Sequence, residues 1–431
     1  MKIAIVGSGI SGLSAAYYLS KKHNVDLFEK EDHFGGHAYT IDLHIDKNDK
    51  QFIPVDIGFI VFNHYTYPNL IEFFKQNKVE IEKSDMSFSV TTHSNEVEYC
   101  GKGLNGMFSS RKNLFNLKFL KMFLEIIKFY KRSSNLNLKD NKLTLGQYLE
   151  KEKLSNYFIN YHIIPMVSAI WSMPPYEARQ MPFTFFLKFF QNHGLFKIRN
   201  RPQWYTVKNR SKSYVDEVLK NISGEHYKNY EIKKVKRNSY GVRVFYGEDN
   251  EFFDYDKVVL ATHANDTIKL IDNPTDKEKQ ILSKFKYKKN TAYIHTDSKF
   301  MPKNFKAWSA WNSSIDSKNL NNTCITYWLN QLQNLKIKKN IFLTLNPIMK
   351  LDDEKILKKV DFTHPYYDMD ALENQINLKE IQNKNNLLFS GSYFGYGFHE
   401  DGIQSAASLC KYLDVDLPWK RNKNFISRVR N

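Results

Sequence analysis

Cysteine is scarce in this chain of 431 residues, which carries only Cys100, Cys324 and Cys410. Their wide spacing matches no metal-binding or redox motif, so we expect no metal site. Unpaired cysteines of this kind are typical of a reducing compartment. We therefore expect the protein to lie in the cytoplasm.

Long apolar runs are absent as well. No stretch approaches the roughly 18 apolar residues that a membrane-spanning helix needs. The first residues form a strand pattern rather than a charged segment followed by an apolar one, so we expect no signal peptide. No internal repeat or low-complexity linker occurs. A chain of 431 residues with 42% hydrophobic content is too long for one core and predicts two domains.

Acidic residues are fewer than basic ones, with 46 Asp and Glu against 63 Lys and Arg, a net charge of +17. Nucleic acid is one partner for such a charge. The lysines are scattered, however, and no recognition motif accompanies them. We therefore expect no nucleic-acid partner.

One segment, residues 111–132, does concentrate Lys and Arg among Phe, Leu and Ile. Its polar residues at 118, 121, 125, 128 and 132 fall on one helical stripe. A basic amphipathic helix of this kind suits the surface of an anionic membrane. The alternative is a helix that packs on the protein and exposes a ridge of lysines. The first alternative predicts a peripheral protein on the inner face of the membrane.

Glycine is concentrated at the N-terminus. Residues 2–6 form a buried strand pattern, a GxGxxG turn and a helix follow, and residues 25–28 form a second strand that ends in an acidic residue. In such a fingerprint the first glycine makes the turn, the second admits a pyrophosphate and the third packs helix on strand. The helix N-terminus donates to the phosphates, and the acid accepts from ribose hydroxyls. The predicted dinucleotide contacts here are Gly7, Gly9, Ser11, Gly12, Glu29 and Lys30.

A second group of glycines favours FAD over NAD. A Gly-Gly pair and His37 follow the second strand, and another close-approach segment occurs near residue 58. Such bare backbone extends the contact along the pyrophosphate towards a flavin. Near the C-terminus, a strand, a loop and a helix that we expect to open at Gly402 could point N–H groups at the flavin ring. The further predicted contacts are Gly35, Gly36, His37, Asp56, Gly58, Phe59, Gly391, Ser392, Gly402 and Ile403.

These glycine motifs resemble the flavoprotein superfamily of amine oxidases, phytoene-type desaturases and polyunsaturated fatty acid isomerases. Several stretches narrow the resemblance to the branch with the desaturase of methyl- and furan-fatty-acid biosynthesis. They are IPMVSAIWSMP (164–174), FFQNHGLFKIRNRPQWYTV (189–207), TYWLNQLQNL (326–335), LTLNP (343–347) and SYFGYGFHEDGIQSA (392–406).

The resemblance implies an α/β fold: a Rossmann-like FAD-binding domain with an inserted α+β substrate domain. The FAD-binding domain would comprise residues 1–95, 205–288 and 385–431, and the substrate domain residues 96–204 and 289–384. It also implies that Val235 touches the adenine side and that Thr262 closes the nucleotide region. Three positions depart from the family: His37 replaces a usual Arg, Ser392 a frequent Asp, and residues 209–212 a Gly-Gly-Ser turn.

The implied activity is desaturation of a methyl-branched fatty acyl chain of membrane phospholipid, with hydride transfer to flavin N5 and an unknown electron acceptor. A fatty acid double-bond isomerase, an amine oxidase and a non-catalytic lipid-binding flavoprotein stay open as alternatives. His399, Tyr396 and Glu400 are the candidate catalytic residues, because they accompany the flavin-facing loop and His is the usual proton handler. His193 and Trp204 are candidate lining residues of an apolar substrate site.

Overall fold

The computed structural model describes residues 1–44, 52–94, 96–137, 142–248 and 251–419. The strands, in chain order, are β1 (Lys2–Val6), β2 (Asn24–Glu29), β3 (Thr40–His44), β4 (Phe52–Asp56), β5 (Phe62–Asn63), β6 (Ile81–Ser84), β7 (Phe88–Thr92), β8 (Glu98–Cys100), β9 (Trp204–Val207), β10 (His226–Lys228), β11 (Ile232–Asn238), β12 (Gly241–Tyr246), β13 (Glu251–Tyr255), β14 (Lys257–Leu260), β15 (Lys286–His295), β16 (Trp311–Ile315), β17 (Thr323–Trp328), β18 (Phe342–Leu345), β19 (Ile356–Tyr366) and β20 (Leu387–Phe389).

The helices are α1 (Ile10–Leu19), α2 (Pro68–Gln76), α3 (Gly103–Met107), α4 (Leu117–Ser133), α5 (Leu145–Lys151), α6 (Asn156–Phe158), α7 (Ile164–Trp171), α8 (Pro175–Gln180), α9 (Phe183–Asn192), α10 (Ser211–Leu219), α11 (Ala264–Leu270), α12 (Asp276–Leu282), α13 (Leu329–Leu332), α14 (Met369–Gln375) and α15 (His399–Leu409). A π-helical turn over Ile159–Ile163 joins α6 to α7. Within the described residues, no helix is long and apolar enough to cross a membrane.

A five-stranded parallel sheet with the order β10-β2-β1-β14-β20 lies at the centre of the first region. Its strands are apolar on both faces, as parallel strands covered on two sides must be. Ile3, Ile5 and Leu27 pack with helices α1, α10 and α15 on one face. Ala4 and Val258 pack with the antiparallel sheet β11-β12-β13 on the other. Strands from the beginning, middle and end of the chain therefore share one sheet.

A seven-stranded mixed sheet with the order β19-β15-β18-β17-β16-β7-β8 lies at the centre of the second region. Only the β7–β16 pair is parallel among its described strands. Helices α4 to α9 form an adjoining core rich in phenylalanine, including Phe119, Phe158 and Phe186. This core and its sheet form the aromatic half of the molecule.

The predicted domain boundaries stay predictions, but two segments contact the region opposite to the one that the sequence assigns to them. Strand β7 lies within the stretch that the sequence assigns to the FAD-binding domain, yet it joins the seven-stranded sheet. Ala371 and Leu378, from the stretch assigned to the substrate domain, pack in the core of the parallel sheet. Residues 45–51, 95, 249–250 and 420–431 of the predicted FAD-binding domain lie outside the described residues.

Candidate functional site

One cavity of about 920 Å³ opens beside the carboxyl ends of β1 and β14 and reaches the second region. We call its two contrasting sides the glycine wall and the aromatic wall. The glycine wall consists of residues 6–11, 29–33, 36–37, 230–233 and 261–263. The aromatic wall consists of Ile170, Trp171, Phe189, His193, Leu195, Trp204, Tyr327, Leu332, Leu343, Leu345, Tyr396 and Phe398.

The three glycines of the first turn serve different purposes. Gly7 has a φ of +98°, and a Cβ there would lie 2.9 Å from the Ala261 carbonyl oxygen. A Cβ on Gly12 would lie 1.8 Å from the carbonyl oxygen of Gly7. A Cβ on Gly9 would meet nothing within 4 Å. Glycine is therefore required at positions 7 and 12 because a side chain would clash with the protein's own backbone, whereas the bare side of Gly9 faces open space.

Helix α1 begins at this turn with no side-chain cap. Gly9 is its N-cap residue, and no hydrogen bond from a described side chain satisfies the first N–H groups. No acidic residue lies in the first turn of the helix. Uncapped N–H groups and the helix dipole together favour an anion. The pyrophosphate of a dinucleotide fits this end of the cavity.

The predicted ribose acceptor, Glu29, ends strand β2 and lines the cavity. One carboxylate oxygen accepts from the backbone N–H of Ser8 at 3.0 Å and from its hydroxyl at 2.5 Å. The other accepts from the backbone N–H of Glu31 at 3.0 Å. A carboxylate offers about four acceptor positions. Three are used to fix the side chain, and the fourth is available to a ribose hydroxyl.

The second glycine pair lies directly against the first turn. Gly35 and Gly36 have φ values of +116° and +58°, and a Cβ on Gly36 would lie 3.0 Å from the Cα of Gly9. Gly58 approaches this segment so closely that a Cβ would lie 2.2 Å from the carbonyl oxygen of His37. Glycine is therefore required here by the close approach of backbone to backbone, and Gly36, His37 and Gly58 also line the cavity.

Three imidazoles gather around position 37. The ring of His37 lies 6.3 Å from that of His263 and 5.3 Å from that of His364. Burial lowers the pKa of each ring, and the neighbouring imidazoles lower the pKa of His37 and His364 further. Nε2 of His37 is buried without a hydrogen-bond partner among the described residues. A ligand group would satisfy that atom.

The predicted cofactor contacts divide into two sets. Those that line the cavity are Gly7, Gly9, Ser11, Glu29, Lys30, Gly36, His37, Gly58, Phe59, Thr262, Gly391 and Ser392. Those outside its lining are Gly12, Gly35, Asp56, Val235, Gly402 and Ile403. The second set has contacts within the protein that explain its residue types.

Asp56 joins three parts of the chain. Its carboxylate accepts from the hydroxyl of Thr40 at 2.6 Å, and from the N–H and hydroxyl of Ser211 at 2.9 and 2.7 Å. Its backbone exchanges hydrogen bonds with the Gln333 side chain. Burial raises the pKa of Asp56 to about 6, although these hydrogen bonds and Arg210 oppose the rise. Arg210, which immediately precedes Ser211, has a φ of +71°.

Gly402 and Ile403 belong to a helix contact. Helix α15 begins at His399, three residues before the expected start. A Cβ on Gly402 would lie 2.6 Å from the hydroxyl oxygen of Ser11, so glycine lets α15 pack against α1. Ile403 is fully buried in the same core. The end of α15 that faces the cavity is therefore His399, not Gly402.

Val235 is also fully buried, in the core beneath the parallel sheet. Its carbonyl accepts from the N–H of Asp272 at 2.9 Å. The part of β11 that lines the cavity comprises Ile232 and Lys233 near its start. The strand is thus the expected one, and the lining residues lie earlier along it than the resemblance implied.

Of the three candidate catalytic residues, His399 and Tyr396 line the cavity. The His399 ring stacks on Phe59 with the centroids 3.6 Å apart, and its Nε2 lies 3.1 Å from the Tyr214 hydroxyl. Burial lowers the pKa of His399 to about 3, so the ring is neutral at neutral pH. The Tyr396 hydroxyl accepts from the Asn192 amide at 3.3 Å.

Glu400 points away from the cavity. Its carboxylate accepts from the backbone N–H groups of Asn69 and Leu70 at 3.2 and 3.0 Å, and from the Asn69 amide at 2.6 Å. Gln404 donates to the same carboxylate. A carboxylate at the N-terminus of α2 stabilises that helix. The catalytic role of Glu400 stays a prediction, and these contacts give it a structural one.

Apart from His193, Trp204 and Tyr396, the residues of the aromatic wall were not predicted from the sequence as site residues. The missed residues include Ile170, Trp171, Tyr327, Leu343 and Leu345. A usable signal was present in β18, where residues 343 and 345 alternate with a residue that faces the other side of the sheet. Helix α7 gave no comparable signal, because it is apolar on every side.

Comparison with known proteins agrees with this architecture. A family model described as an NAD(P)-binding Rossmann-like domain matches residues 5–76. No curated protein matches the sequence. Among solved structures, a CLA-producing fatty acid isomerase from P. acnes shares 14% identity, covers 95% of this chain and 98% of its own, and has a TM-score of 0.66.

Two amine oxidases resemble this chain to a similar extent. Cyclohexylamine oxidase from Brevibacterium oxydans IH-35A has 14% identity, a TM-score of 0.64 and coverage of 96% and 99%. Putrescine oxidase bound to putrescine has 13% identity, a TM-score of 0.67 and coverage of 96% and 99%. Likeness at these identities concerns the fold. The chain therefore has the amine-oxidase type of fold, a Rossmann-like domain with an α+β substrate domain, which confirms the predicted fold class.

Proposed function

We propose that this protein is an FAD-dependent oxidoreductase that introduces a double bond into a fatty acyl chain. The methyl-branched chains of membrane phospholipid are the substrate class that the sequence resemblance favours. The observation that carries the proposal is the continuity of the cavity, because one space of about 920 Å³ contacts both the glycine wall and the aromatic wall. A redox cofactor and an uncharged chain can meet there.

The glycine wall fits FAD. The uncapped start of α1 and the open side of Gly9 suit the pyrophosphate, and Glu29 retains an acceptor for ribose. The backbone around Gly36 and Gly391 would hold the remainder of the cofactor. When bound, FAD supplies an acceptor for a hydride, and the second hydrogen of the substrate leaves as a proton.

The aromatic wall favours an acyl chain over an amine. Its residues include Trp171, Leu343 and Leu345. The carboxylates that line the cavity are Glu29, Glu31, Asp32 and Glu231 in the glycine wall and Asp266 and Asp361 outside both walls. An apolar chain gains free energy by burial against such side chains, whereas a buried ammonium group needs a counter-charge. His399 contributes a neutral imidazole whose ring is held by Phe59 and Tyr214.

A double-bond isomerase is the second candidate, because a fatty acid isomerase is among the solved structures with this fold. An isomerase would use the same two walls but return the hydrogen to the chain at another carbon. It would leave the mass of the product unchanged and need no electron acceptor.

The test is anaerobic incubation of the FAD-loaded protein with a membrane lipid extract, followed by flavin absorbance and mass analysis of the fatty acids. We expect bleaching of the flavin and a product that is two hydrogens lighter. A shifted double bond at constant mass would replace desaturation with isomerisation. Bleaching by amines but not by lipid would overturn both proposals in favour of amine oxidation.

A further inference from the structure

Helix α4 has an outer face that the protein does not cover. Its inner side chains, Phe119, Met122, Ile126, Phe129 and Tyr130, are buried in the aromatic core. The predicted apolar circumference of this helix is therefore only partly used for packing. Of the remaining large apolar side chains, Leu117, Leu124 and Ile127 are exposed, whereas Leu120 and Phe123 are half-buried.

The outward face combines apolar and cationic side chains in one stripe. Seven residues make about two helical turns, so Leu117, Leu124 and Lys131 lie above one another. Lys121 follows Leu117 by four positions, and Lys128 follows Leu124 by four, so both lysines lie in the same stripe. Leu117 is 82% exposed and Leu124 is 56% exposed.

The turn before the helix continues this face. In the 3-10 helix Arg111–Phe115, Phe115 is 88% exposed and Leu114 is 43% exposed. Isolated exposed leucines are ordinary on a protein surface. Several large apolar side chains on one helix face and its adjoining turn are not scattered in that way, and they indicate a binding surface. We call this face, from residue 111 to residue 131, the α4 surface.

The charge of the α4 surface has one sign. The exposed cations are Arg111, Lys112, Lys118, Lys121, Lys128 and Lys131. None of them forms an ion pair with a carboxylate of the described residues, whereas Arg132 at the edge pairs with Glu152. The acidic residue of the helix, Glu125, accepts hydrogen bonds from Ser155 and is thereby held against the protein.

We propose that the α4 surface docks on an anionic phospholipid bilayer. Side chains such as Phe115 and Leu117 would enter the boundary between headgroups and acyl chains, and the lysines would reach the phosphates around them. A second copy of the chain is a poor occupant, because a two-fold interface would bring like charges together. This inference goes beyond the proposed function and holds whichever reaction the cavity supports.

The test is co-sedimentation of the full chain with vesicles of phosphatidylcholine alone or with 30% phosphatidylglycerol. We expect at least tenfold tighter binding to the anionic vesicles, weakened by salt. Changing Lys118, Lys121 and Lys128 to Glu should remove most of this binding. The matched control changes Lys336, Lys338 and Lys379 to Glu, which alters the net charge equally at exposed positions elsewhere. Its binding should fall much less.

The apolar contribution is tested separately with Phe115→Ser and Leu117→Ser, whose side chains are too exposed to affect folding. We expect at least threefold weaker binding, with Ile376→Ser as the control because that residue is exposed on another part of the surface. Equal binding by the α4 and control variants would overturn the proposal. So would a concentration-dependent dimer that Leu117→Ser dissociates, since that result would assign the face to a second copy.

Discussion

The two walls of the cavity are built from different parts of the chain. The glycine wall presents backbone, at Gly7, Gly9 and Gly36, because a polar ligand with phosphates must come close to N–H groups. The aromatic wall presents side chains such as Trp171 and Leu343, because an apolar ligand is held by area and shape. The glycine wall therefore fixes the direction of hydrogen bonds to a ligand, whereas the aromatic wall fixes the volume that a ligand can occupy.

The difference implies unequal tolerance to mutation. A single Cβ can occupy the space that a phosphate needs, whereas an apolar side chain can be exchanged for another of similar size at a cost usually below about 1.5 kcal/mol. The glycine wall should respond to the smallest changes, and the aromatic wall mainly to changes of polarity.

The largest expected effect comes from Gly9→Leu. A Cβ added at residue 9 would meet no atom within 4 Å, so the backbone accepts a side chain there and we expect leucine to extend into the ligand space. We expect FAD retention to fall more than 100-fold with little change in melting temperature. Flavin absorbance after gel filtration and a thermal scan of the cofactor-free protein measure the two effects.

Gly12→Ala is the matched comparison within the same turn. Its Cβ would lie 1.8 Å from the Gly7 carbonyl oxygen, so we expect a loss of stability of about 1–3 kcal/mol from overpacking. Full flavin occupancy in Gly9→Leu would refute the assignment of the turn. A large drop in melting temperature for Gly9→Leu alone would mean that the residue serves the fold.

The next effect concerns polarity at the aromatic wall. Ile170 is half-buried and lines the cavity, and Ile170→Asp would place a carboxylate among apolar side chains. We expect activity on lipid to fall about 10–100-fold while FAD stays bound, because the bound chain loses an apolar contact of about 1.5–3 kcal/mol and meets a group that resists desolvation. Ile376→Asp, at an exposed site, is the control. Equal activity of both variants would remove Ile170 from the substrate site.

The sequence predicted the glycine wall better than the aromatic wall for a physical reason. Positive φ values and close backbone contacts restrict residues 7 and 36 to glycine, so these positions are visible in the sequence. The order strand, turn, helix and strand also follows from local patterns, and β1, α1 and β2 occur as expected. Nothing local distinguishes an aromatic residue that lines a cavity from one that fills a core.

The predicted contacts that lie outside the cavity lining show the same limit. Gly402 is a glycine because α15 crosses α1, and Asp56 is acidic because Ser211 and Thr40 donate to it. Gly402 and Ser11, and likewise Asp56 and Ser211, are more than a hundred positions apart in the sequence. Only Thr40 is close to its partner in the sequence. Tertiary contacts of this kind leave no periodic signal in one sequence. The family resemblance pointed to Gly402 and Asp56, but only the folded structure shows which residues contact them.

The smallest expected effect concerns the buried titratable groups on the two sides of the molecule. Burial raises the pKa of Asp56, near the glycine wall, to about 6. Burial lowers the pKa of His162, in the aromatic half, to about 3. His162 lies between the hydroxyls of Tyr99 and Tyr130 at 2.9 and 2.8 Å. As the pH falls, the contributions of the two groups to the free energy of unfolding should therefore change in opposite directions.

The sign follows from proton binding. Below pH 6.5 the unfolded chain protonates His162 while the folded protein does not, so this histidine lowers the free energy of unfolding as the pH falls towards 3. Asp56 acts in reverse, because the folded protein takes up its proton first as the pH falls through about 6. His162→Gln keeps a hydrogen-bonding side chain but removes one titration. Between pH 6.5 and 5, denaturant unfolding should give the wild type about 2 kcal/mol more loss of stability than the variant. Parallel pH curves for the two proteins would mean that His162 takes up its proton in the folded protein as readily as in the unfolded chain, so that the core of the aromatic half does not exclude the charge.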